Sequence, residues 1–360
     1  MKNGFLVIII ILQKYSAKEE IIMVSINDVA KKARVSISTV SRVMNKNANV
    51  SKEKEAAVLA AIDELDYIPN GLARGLVTKN TNSIGILIAD ISNMYYSSLV
   101  KNIEYTLNKK GYYTIIGNTE WNPKREKDYL RYLIQKQVDG LILASTSLAD
   151  QFINKFCQKR IPLIVLDREI ASQQIDKIRI NDYDGAYQAT KHLISCNYDY
   201  FIHLKGPNNA ATAVDRCQAF QDCLKQNKIA ATNYKILSGE FIEDKARKLI
   251  ANFLDDFQLS GRRLGIFAAN DATAFGILKE LKNRGLKIPA QVGVVGFDDV
   301  SFAAYTDPPL TTVSRPIKKI AEITASLLVE RINKTESEEI SKSNIILPVE
   351  LVIRKSTIKL

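Results

Sequence analysis

The sequence predicts an α/β protein in which a small N-terminal helical unit precedes two doubly wound lobes. Near the N-terminus, apolar residues recur at the spacing of short helices, whereas from Ser83 onward short apolar runs alternate with amphipathic stretches. The alternation occurs in two successive series, and strand–helix alternation is typical of a parallel sheet covered by helices on both faces. A chain of 360 residues has room for two or three such units.

Composition narrows the class of protein without identifying a function. The chain is 46% hydrophobic and 25% charged, as in ordinary globular proteins, and its formal net charge of +11 favours a polyanionic partner. The four cysteines form no CxxC pair and have no histidine at ligand spacing, which indicates reduced thiols and no metal site. The apolar run Phe5–Leu12 is too short to span a bilayer and precedes no small-residue cleavage site. We therefore expect a cytoplasmic protein with no membrane partner.

The first 22 residues match no domain pattern, and a second methionine, Met23, stands directly before the first helical motif. We expect residues 1–22 to be a non-native or disordered extension, and Met23 to be the true start. The peptide Lys18-Glu19-Glu20 agrees with this, because a purine-rich ribosome-binding stretch read as protein would encode it.

The N-terminal unit begins with two short helices joined by a tight turn at Arg34-Val35-Ser36. The first helix, which Ser25 or Asn27 can cap, is predicted from apolar residues at helical spacing: Ile26, Val29, Ala30 and Ala33. The second helix is predicted over Ile37–Asn45, with one apolar face: Val40, Val43 and Met44. A third helix, Glu55–Leu65, offers four apolar residues to a small core: Ala57, Leu59, Ile62 and Leu65.

The other face of the second helix carries small polar side chains and one arginine. Hydroxyls and amides can donate to phosphate oxygens, and arginine can bridge O6 and N7 of guanine in a bidentate fork. Such a helix is what reading the DNA major groove requires. A plain solvated face is the alternative, since exposed serine, threonine and arginine are common. The third helix favours DNA reading, because it completes a compact three-helix unit.

These residues carry a family resemblance. The segments Ile26–Ala30, Val35–Asn45 and Leu65–Asn70 resemble the helix-turn-helix headpiece of the lactose/galactose-repressor (LacI/GalR) family, and the similarity runs from Ile26 to about Thr357. One departure is Arg34, where the family usually has Gly or Asn. A left-handed backbone there would cost a non-glycine residue about 1 kcal/mol.

The resemblance implies roles for individual headpiece residues. Three positions would read bases: Ile37, Ser38 and Arg42. Four would contact phosphates: Ser36, Thr39, Ser41 and Asn45. Because its side chain is apolar, Ile37 can pack on a thymine methyl but cannot hydrogen-bond a base.

The segment Pro69–Leu76 is similar to the family's hinge helix, which orders on the DNA operator. It would be weak as an isolated helix, because it is short and contains two glycines. By the resemblance, Ala73 and Leu76 enter the minor groove, where Leu76 wedges into the central base step and kinks the duplex. A plain linker leucine is the alternative.

The remainder of the chain is predicted as alternating strands and helices. Strands are expected at Ile84–Ala89, Tyr113–Gly117, Leu141–Ala144, Leu163–Leu166, Phe201–Leu204, Ile236–Ser238, Leu264–Ala268 and Val292–Gly296. Helices are expected at Leu99–Lys110, Glu126–Gln137, Ala149–Lys159, Tyr183–Ser195, Arg216–Asn227, Lys245–Asp255 and Ala272–Arg284. Two such lobes imply a cleft between them.

Polar residues that directly follow the predicted strands are candidates for ligand contacts, because ligands of open α/β sheets bind beyond the carboxyl ends of the strands. They are Asp90, Asp167-Arg168, Asn270-Asp271 and Asp298-Asp299. Converging carboxylates, an amide and arginines can fork-bond sugar hydroxyls or balance a charged metabolite. The alternative is a helix cap, which we expect for Asp271 and Asp299.

The sensor lobes also resemble the family, through Asp90–Tyr96, Val138–Ile142, Ala269–Asp271, Val295–Asp299 and Pro308–Val313. The resemblance implies a two-lobed, periplasmic-binding-protein-like sensor with these effector-binding residues: Asp90, Tyr95, Tyr96, Arg168, Thr212, Arg216, Phe241, Asn270 and Asp298. Ala210 replaces the arginine that purine-sensing members use, which disfavours a purine. An aromatic ring beside arginine, amide and carboxylate groups suits a sugar or sugar derivative, and we expect replacement of Arg216 or Asp298 to leave the fold intact.

Together these features predict a homodimeric transcription regulator of carbohydrate metabolism genes that binds a palindromic double-stranded DNA operator. The expected domains are the headpiece over residues 23–69, the hinge helix and linker over 70–80, and an effector-binding and dimerisation domain over 81–360. Lobe 1 is expected at about 81–180 and 310–335, and lobe 2 at about 181–308 and 340–360. The alternative is a regulator that responds to a phosphorylated carrier protein instead of a free metabolite.

An enzyme is not expected. His192 and His203 have no recognisable Ser or Cys partner motif and are interpreted as structural, and the sequence contains no GxGxxG or phosphate-loop signature. We therefore predict no catalytic residue, no metal and no cofactor.

Overall fold

The structure is a computed structural model that describes residues 24–44, 50–67, 80–144, 150–157, 161–168, 170, 175–257, 259, 261–334 and 341–358. Three predictions lie outside these residues: the N-terminal extension over 1–22, the phosphate contact of Asn45, and the minor-groove roles of Ala73 and Leu76. The chain divides into two compact units, one ending at Thr81 and the other running from Asn82 to Leu360.

The described part of the first unit contains three helices: α1 (Ile26–Lys32), α2 (Ile37–Met44) and α3 (Lys52–Glu64). Ser25 caps α1, with its backbone N and its Oγ both donating to the carboxylate of Asp28, at 2.9 and 2.6 Å. The predicted apolar faces of the first two helices are confirmed, because Val29 and Val40 are fully buried in the small core between the helices.

The face that the third helix presents to the core agrees only in part with the one expected, since Ile62 and Leu65 pack against the core as predicted. Val58 and Ala61 are its buried residues, whereas Leu59 is 53% exposed and Ala57 is also exposed. The prediction that Ala57 and Leu59 cover the core is therefore wrong. The helix begins at Lys52 rather than Glu55, and its long alanine-rich run gives several apolar faces among which periodicity alone does not choose.

The turn between α1 and α2 has a left-handed backbone at Arg34, the position where this sequence departs from the family pattern. Arg34 adopts a φ of +53°, in the left-handed region, while its side chain remains exposed. A non-glycine residue in this conformation carries a cost of about 1 kcal/mol.

The second unit contains two six-stranded sheets. In lobe 1 the sheet order is β11-β5-β4-β3-β1-β2, with all neighbours parallel. Its strands are β1 (Ser83–Ile88), β2 (Tyr113–Asn118), β3 (Gly140–Ala144), β4 (Leu163–Leu166), β5 (Asp176–Ile180) and β11 (Asn344–Leu347). In lobe 2 the order is β12-β10-β9-β8-β6-β7, parallel except for the edge pair of β10 and β12. Its strands are β6 (Tyr200–Lys205), β7 (Tyr234–Ser238), β8 (Leu264–Ala268), β9 (Val292–Asp298), β10 (Thr311–Ser314) and β12 (Glu350–Val352).

Helices connect the strands in both lobes. They are α4 (Met94–Asn108), α5 (Pro123–Gln135), α6 (Asp150–Cys157), α7 (Asp182–Ser195), α8 (Ala211–Gln226), α9 (Glu243–Asp256), α10 (Asp271–Asn283) and α11 (Ile317–Asn333), with short 3₁₀ turns at Ala231–Asn233 and Ser301–Tyr305. Among the described residues, no helix combines the length and apolar character that crossing a membrane requires. The strands and helices that the sequence predicts in the two lobes are confirmed, and the structure adds β5, β10, β11, β12 and α11 to them.

The lobe boundaries near the C-terminus differ from those expected. Strand β10 joins the sheet of lobe 2, although residues 310–335 were assigned to lobe 1, and β11 joins the sheet of lobe 1, although residues 340–360 were assigned to lobe 2. Two elements follow the expectation: α11 packs against α4 and strands β3 and β4 of lobe 1, and β12 joins the sheet of lobe 2. Sheet membership depends on long-range pairing, which a local apolar pattern does not encode.

The chain crosses between the lobes three times, at Asn181, at Arg315-Pro316 and at Pro348-Val349. The largest apolar cluster draws fully buried residues from both lobes, including Ile86 and Leu99 from lobe 1 and Phe267 and Phe297 from lobe 2. The lobes therefore share a continuous core beside the crossovers, and the carboxyl ends of their strands face the gap that remains.

Candidate functional site

The first candidate site is the exposed face of α2. Ile37 is 49% exposed, and Ser38 and Arg42 are exposed as well, whereas Val40 and Val43 on the opposite face are buried. The three predicted base-reading side chains therefore share one accessible surface. An exposed arginine between small side chains can approach the edge of a base without displacing core residues.

Serine and threonine hydroxyls surround the N-terminus of α2. The hydroxyl of Ser36 lies 2.8 Å from that of Ser38 and 2.9 Å from that of Thr39, and the backbone N of Thr39 donates to Ser36 Oγ at 3.3 Å. Ser36 thus caps the helix in the free protein. A helix N-terminus with short hydroxyl side chains is a suitable surface for a phosphate group, which agrees with the prediction for Ser36 and Thr39.

The second candidate site is a cavity of about 310 Å³ between the two lobes. Both lobes contribute to its wall: Asp90, Asn93, Tyr95, Tyr96, Asn118, Glu120, Trp121, Asp167, Thr212, Arg216, Glu240, Phe241, Ile242, Asn270, Asp298 and Arg315. Most of these residues follow a strand or begin the next helix, because the carboxyl ends of parallel strands converge on the same edge.

Arg315 lies on the crossover that follows β10 and links the lobes electrostatically. Its guanidinium donates to Asp167 of lobe 1 and, at 3.4 Å, to Asp298 of lobe 2, and it stacks 3.7 Å above the ring of Tyr95. The Tyr95 hydroxyl donates to the second oxygen of Asp167 at 2.8 Å. Nε of Arg315 is buried and has no hydrogen-bond partner among the described residues.

Arg216, on α8, forms the other buried ion pair of the cavity. Its Nε donates to Asp182 at 2.8 Å, its Nη1 donates to the carbonyl oxygen of Ala269, and its Nη2 lies 3.9 Å from Asp298. The guanidinium is stacked 3.6 Å from the centre of the Phe297 ring. The charge of each arginine is thus matched by carboxylates within the protein.

Burial and neighbouring charges shift the pKa values of these side chains in opposing directions. It raises the pKa of Asp298 to about 6, although the guanidinium groups of Arg216 and Arg315 act to lower it. The pKa of Asp182 is also raised by burial, against the charge of Arg216. Burial acts to lower the pKa of Arg315, but the carboxylate of Asp167 and the other acidic groups outweigh it and raise the pKa. The ion pairs that join the two lobes are therefore made by buried groups whose pKa values are shifted.

The structure brings together eight of the nine predicted effector residues. Asp90, Tyr95, Tyr96, Thr212, Arg216, Phe241, Asn270 and Asp298 line the cavity. Of the strand-end pair Asp167-Arg168, Asp167 lines the cavity and Arg168 is not among the lining residues. Consecutive residues after a strand point in different directions, and a contact of Arg168 with an effector stays a prediction.

Sequence reasoning missed Arg315 and Trp121. Arg315 directly follows β10, so the strand-end rule would have found it had that strand been predicted. Trp121 follows β2 by three residues, in the turn that leads to α5. An aromatic residue in such a turn has no distinguishing pattern in a single sequence.

The expected caps at the strand ends are distributed differently. Asn270 Oδ1 caps α10 by accepting from Thr273 N at 2.9 Å. Asp271 is fully buried and accepts from Val300 N at 2.9 Å and from the Thr312 hydroxyl at 2.6 Å. Asp299 forms an ion pair with Arg354 at 2.6 Å. The prediction that Asp271 and Asp299 are helix caps is therefore wrong. Asp271 binds Val300 and, in β10, Thr312, and Asp299 binds Arg354 near the C-terminus.

Burial also revises the expectation that replacing Arg216 leaves the fold intact. The Arg216 and Asp182 side chains are 3% and 5% exposed, so removing the guanidinium would leave a carboxylate buried without its partner. Breaking a buried pair in this way costs about 3–5 kcal/mol.

The two histidines lie away from the cavity lining. His192 Nε2 is 2.8 Å from the Thr357 hydroxyl, while His203 is stacked between Phe220 and Phe267. Burial lowers the pKa of His203 to about 4, so its ring is neutral at pH 7. Among the described residues, no cluster of histidine, cysteine, aspartate and glutamate could hold a metal ion.

Two sequence-family models match the chain. The model described as bacterial regulatory proteins, lacI family, matches residues 25–70, which contain the three helices of the first unit. The model described as a periplasmic binding protein-like domain matches residues 190–357.

Whole-length relatives agree with these matches. The chain is 35% identical over 335 residues to the ribose operon repressor of Halalkalibacterium halodurans, covering 93% of this chain and 97% of that protein. It is 34% identical to the HTH-type transcriptional repressor PurR of Vibrio vulnificus, covering 88% of this chain and 94% of that protein.

Two solved structures of regulators are similar to this chain. The Lac repressor dimer bound to operator and the anti-inducer ONPF superposes with a TM-score of 0.80 at 27% identity, covering 92% of this chain and 98% of that one. A LacI family transcriptional regulator from Enterococcus faecium with bound ribose superposes with a TM-score of 0.68 at 30% identity, covering 77% of this chain and 99% of that one.

Proposed function

Because the chain belongs to the LacI family of bacterial regulatory proteins, and is a transcriptional repressor and not an enzyme, we propose that it represses carbohydrate metabolism genes in the cytoplasm under the control of a free sugar. The observation that carries the proposal is the presence, in one chain, of an exposed helix face suited to the major groove and of an interlobe cavity lined by polar and aromatic residues. The first would bind the operator and the second would bind the effector.

The operator is a palindrome bound by a homodimer. One helix-turn-helix unit presents a single reading face, here Ile37, Ser38 and Arg42, and therefore reads one half-site. Two copies related by a twofold axis read two half-sites in adjacent major-groove segments. The Lac repressor, a structural neighbour, is a dimer bound to its operator, which supports this arrangement.

The effector is uncharged. Five carboxylates line the cavity, those of Asp90, Glu120, Asp167, Glu240 and Asp298, against the two guanidinium groups of Arg216 and Arg315. Both arginines are already paired with buried carboxylates, so neither offers an unbalanced positive charge to a phosphate. A phosphate monoester would bring negative charge to a site whose two guanidinium groups are already paired, whereas neutral hydroxyls can both donate to carboxylates and accept from guanidinium groups.

The size of the cavity indicates a monosaccharide. About 310 Å³ is at the lower end of the range for small-molecule sites, which is roughly 300–1,000 Å³. Ribose is the first candidate, because one relative is a ribose operon repressor and one structural neighbour contains bound ribose.

Calorimetry on the full chain tests the effector proposal. We expect D-ribose or another free monosaccharide to bind, and we expect D-ribose 5-phosphate and the disaccharide cellobiose not to bind. Binding of the phosphate ester alone would contradict the charge argument. Binding of a phosphorylated carrier protein, without binding of any sugar, would support the alternative class of regulator.

Operator binding tests the DNA proposal. Selection from random duplexes followed by footprinting should yield two symmetric protected half-sites, and a single asymmetric half-site would contradict dimeric reading. If Leu76 is a minor-groove wedge, Leu76→Ala should weaken operator binding by a few kcal/mol and reduce the bend. Binding to random duplex at the same salt concentration should be nearly unchanged, since phosphate contacts carry it.

A further inference from the structure

The same turn occurs in both lobes at the mouth of the cavity. After β2, Glu120 and Trp121 adopt φ values of +53° and +55°, and after β7, Glu240 and Phe241 adopt values of +56° and +62°. Each turn is closed by the same backbone hydrogen bond, from Asn122 N to the oxygen of Thr119 at 3.0 Å in lobe 1, and from Ile242 N to the oxygen of Gly239 at 3.1 Å in lobe 2. Each lobe therefore presents a glutamate and then an aromatic ring at equivalent positions.

The two aromatic rings meet across the cleft. The centres of the Trp121 and Phe241 rings are 6.1 Å apart, with an angle of 35° between their planes, and both residues line the cavity. They are only partly buried, whereas Arg216, Asp298 and Arg315 at the base of the cavity are buried. The two rings thus form a more accessible part of the cavity wall than the three charged groups do.

Both turns are fixed in place by ion pairs to the helices that follow. Glu120 pairs with Arg125 of α5 at 2.5 Å, and Glu240 pairs with Lys245 of α9 at 2.6 Å. Two consecutive non-glycine residues with left-handed backbone cost of the order of 1 kcal/mol or more each, and such strain concentrates at ligand clamps and switches. The same strained turn therefore occurs in both lobes, in each case with an aromatic side chain that lines the cavity.

We propose that Trp121 is a ligand-capping residue, which together with Phe241 covers the outer face of a sugar ring bound in the cavity. This inference rests on the proposed function and adds a specificity-determining residue to it. The apolar C–H face of a monosaccharide can pack against an aromatic ring while its hydroxyls bind the carboxylates and guanidinium groups below. Because the two rings belong to different lobes, dissociation of a ligand bound under them requires the lobes to separate.

Trp121 is the single tryptophan of the chain and therefore reports on its own position. We expect D-ribose to change the fluorescence excited at 295 nm and to reduce quenching by acrylamide. Trp121→Ala should weaken D-ribose binding about tenfold, chiefly through faster dissociation, since changes at one site act mostly on the off-rate. Calorimetry gives the affinity, and competition with a second sugar in stopped-flow mixing gives the dissociation rate.

Two variants serve as controls. Trp121→Phe keeps an aromatic face and should bind D-ribose within about twofold of the wild-type affinity. Tyr132→Ala removes a half-exposed aromatic ring from α5, the helix that follows the Trp121 turn, but Tyr132 is not among the cavity-lining residues. It should leave both affinity and dissociation rate unchanged.

The outcomes separate the capping role from the proposed effector. If wild-type protein binds D-ribose and Trp121→Ala binds it with the same affinity and dissociation rate, the capping role is wrong and the effector proposal stands. If no monosaccharide binds, the effector proposal is wrong, and the ring pair is tested without ligand. Phe241→Ala should then increase acrylamide quenching of Trp121, and unchanged quenching would show that the two rings do not shield each other.

Discussion

The three-helix unit and the interlobe cavity place their polar side chains under opposite conditions of burial. In the helical unit, Ile37, Ser38 and Arg42 are exposed, and the core beneath them consists of small apolar residues such as Val29 and Val40. In the cavity, the charged groups of Arg216 and Arg315 are among the least exposed of the chain. A DNA-reading surface and a ligand-enclosing surface therefore affect stability in different ways.

The difference follows from desolvation. An exposed side chain stays hydrated in the free protein, so its removal changes binding and leaves the fold almost unaffected. A buried charge exists only because its partner offsets the loss of water, so its removal changes stability as well as binding. The comparison can be tested by measuring both stability and binding for variants of each region.

The largest effect on stability is expected for Arg216→Ala, which leaves Asp182 buried without its partner. We expect the free energy of unfolding to fall by about 3–5 kcal/mol. Urea unfolding followed by the fluorescence of Trp121 would measure the effect in the lobes themselves. The matched double variant, Arg216→Met with Asp182→Leu, should recover much of the loss, because it removes both charges. An unchanged unfolding free energy in the single variant would show that the pair is hydrated, contrary to its burial.

The second effect is the change in the free energy of unfolding that accompanies ionisation of Asp298 as the pH rises. Because burial raises its pKa to about 6, the folded protein binds this proton more tightly than the unfolded chain, in which the carboxyl titrates near 3.8. The corresponding stabilisation is present below about pH 4 and is lost as the pH rises through 6. The difference between the two values corresponds to about 3 kcal/mol.

Asp298→Asn should therefore reduce the fall in unfolding free energy between pH 4.5 and pH 7 by about 2 kcal/mol, since part of the full difference is already lost at pH 4.5. Urea titrations of both proteins at the two pH values provide the measurement. Asp128→Asn, at an exposed carboxylate, is the control and should keep the wild-type pH dependence. If Asp298→Asn has the wild-type dependence as well, Asp298 remains ionised throughout and the buried arginines outweigh its desolvation.

For the exposed surface, the corresponding prediction is Arg42→Ala. Binding to the selected operator should weaken by about 1–3 kcal/mol, with relaxed preference at one symmetric pair of positions. The unfolding free energy should change by less than about 0.5 kcal/mol, since Arg42 is exposed. Lys54→Ala, an exposed cation on α3, controls for the loss of one positive charge. Equal weakening on every sequence would instead identify Arg42 as a phosphate contact.

The smallest effect is expected at Arg34, whose backbone is left-handed although its side chain is exposed. Arg34→Gly should stabilise the three-helix unit by about 1 kcal/mol, because glycine adopts this conformation without a steric cost. Hydrogen exchange of amides in α1 and α2 should then slow by about fivefold. Arg34→Ala retains the steric cost and should give no slowing, so equal slowing in both variants would assign the effect to the arginine side chain.

Much of this organisation was predictable from local pattern. The helices of the first unit, the strand and helix series of both lobes, and most cavity residues follow from apolar periodicity, strand-end position and family resemblance. Val40 and Val43 are buried where the helical spacing placed them, and Asp90, Asn270 and Asp298 line the cavity where the strand ends placed them. Periodicity succeeds because an element buries one face whatever lies opposite, so that information is contained in a few consecutive residues.

The sequence by itself therefore determined which segments form helices and strands, and that a DNA-reading unit precedes two lobes. Only the tertiary structure decided that β10 and β11 exchange lobes, that Asp167 and not Arg168 lines the cavity, and that Arg315 links the lobes. Arg315 and Asp167 are 148 residues apart in the chain. An ion pair over that distance depends on how two sheets are assembled around a shared core, and a buried charge becomes stable only when that assembly supplies its partner.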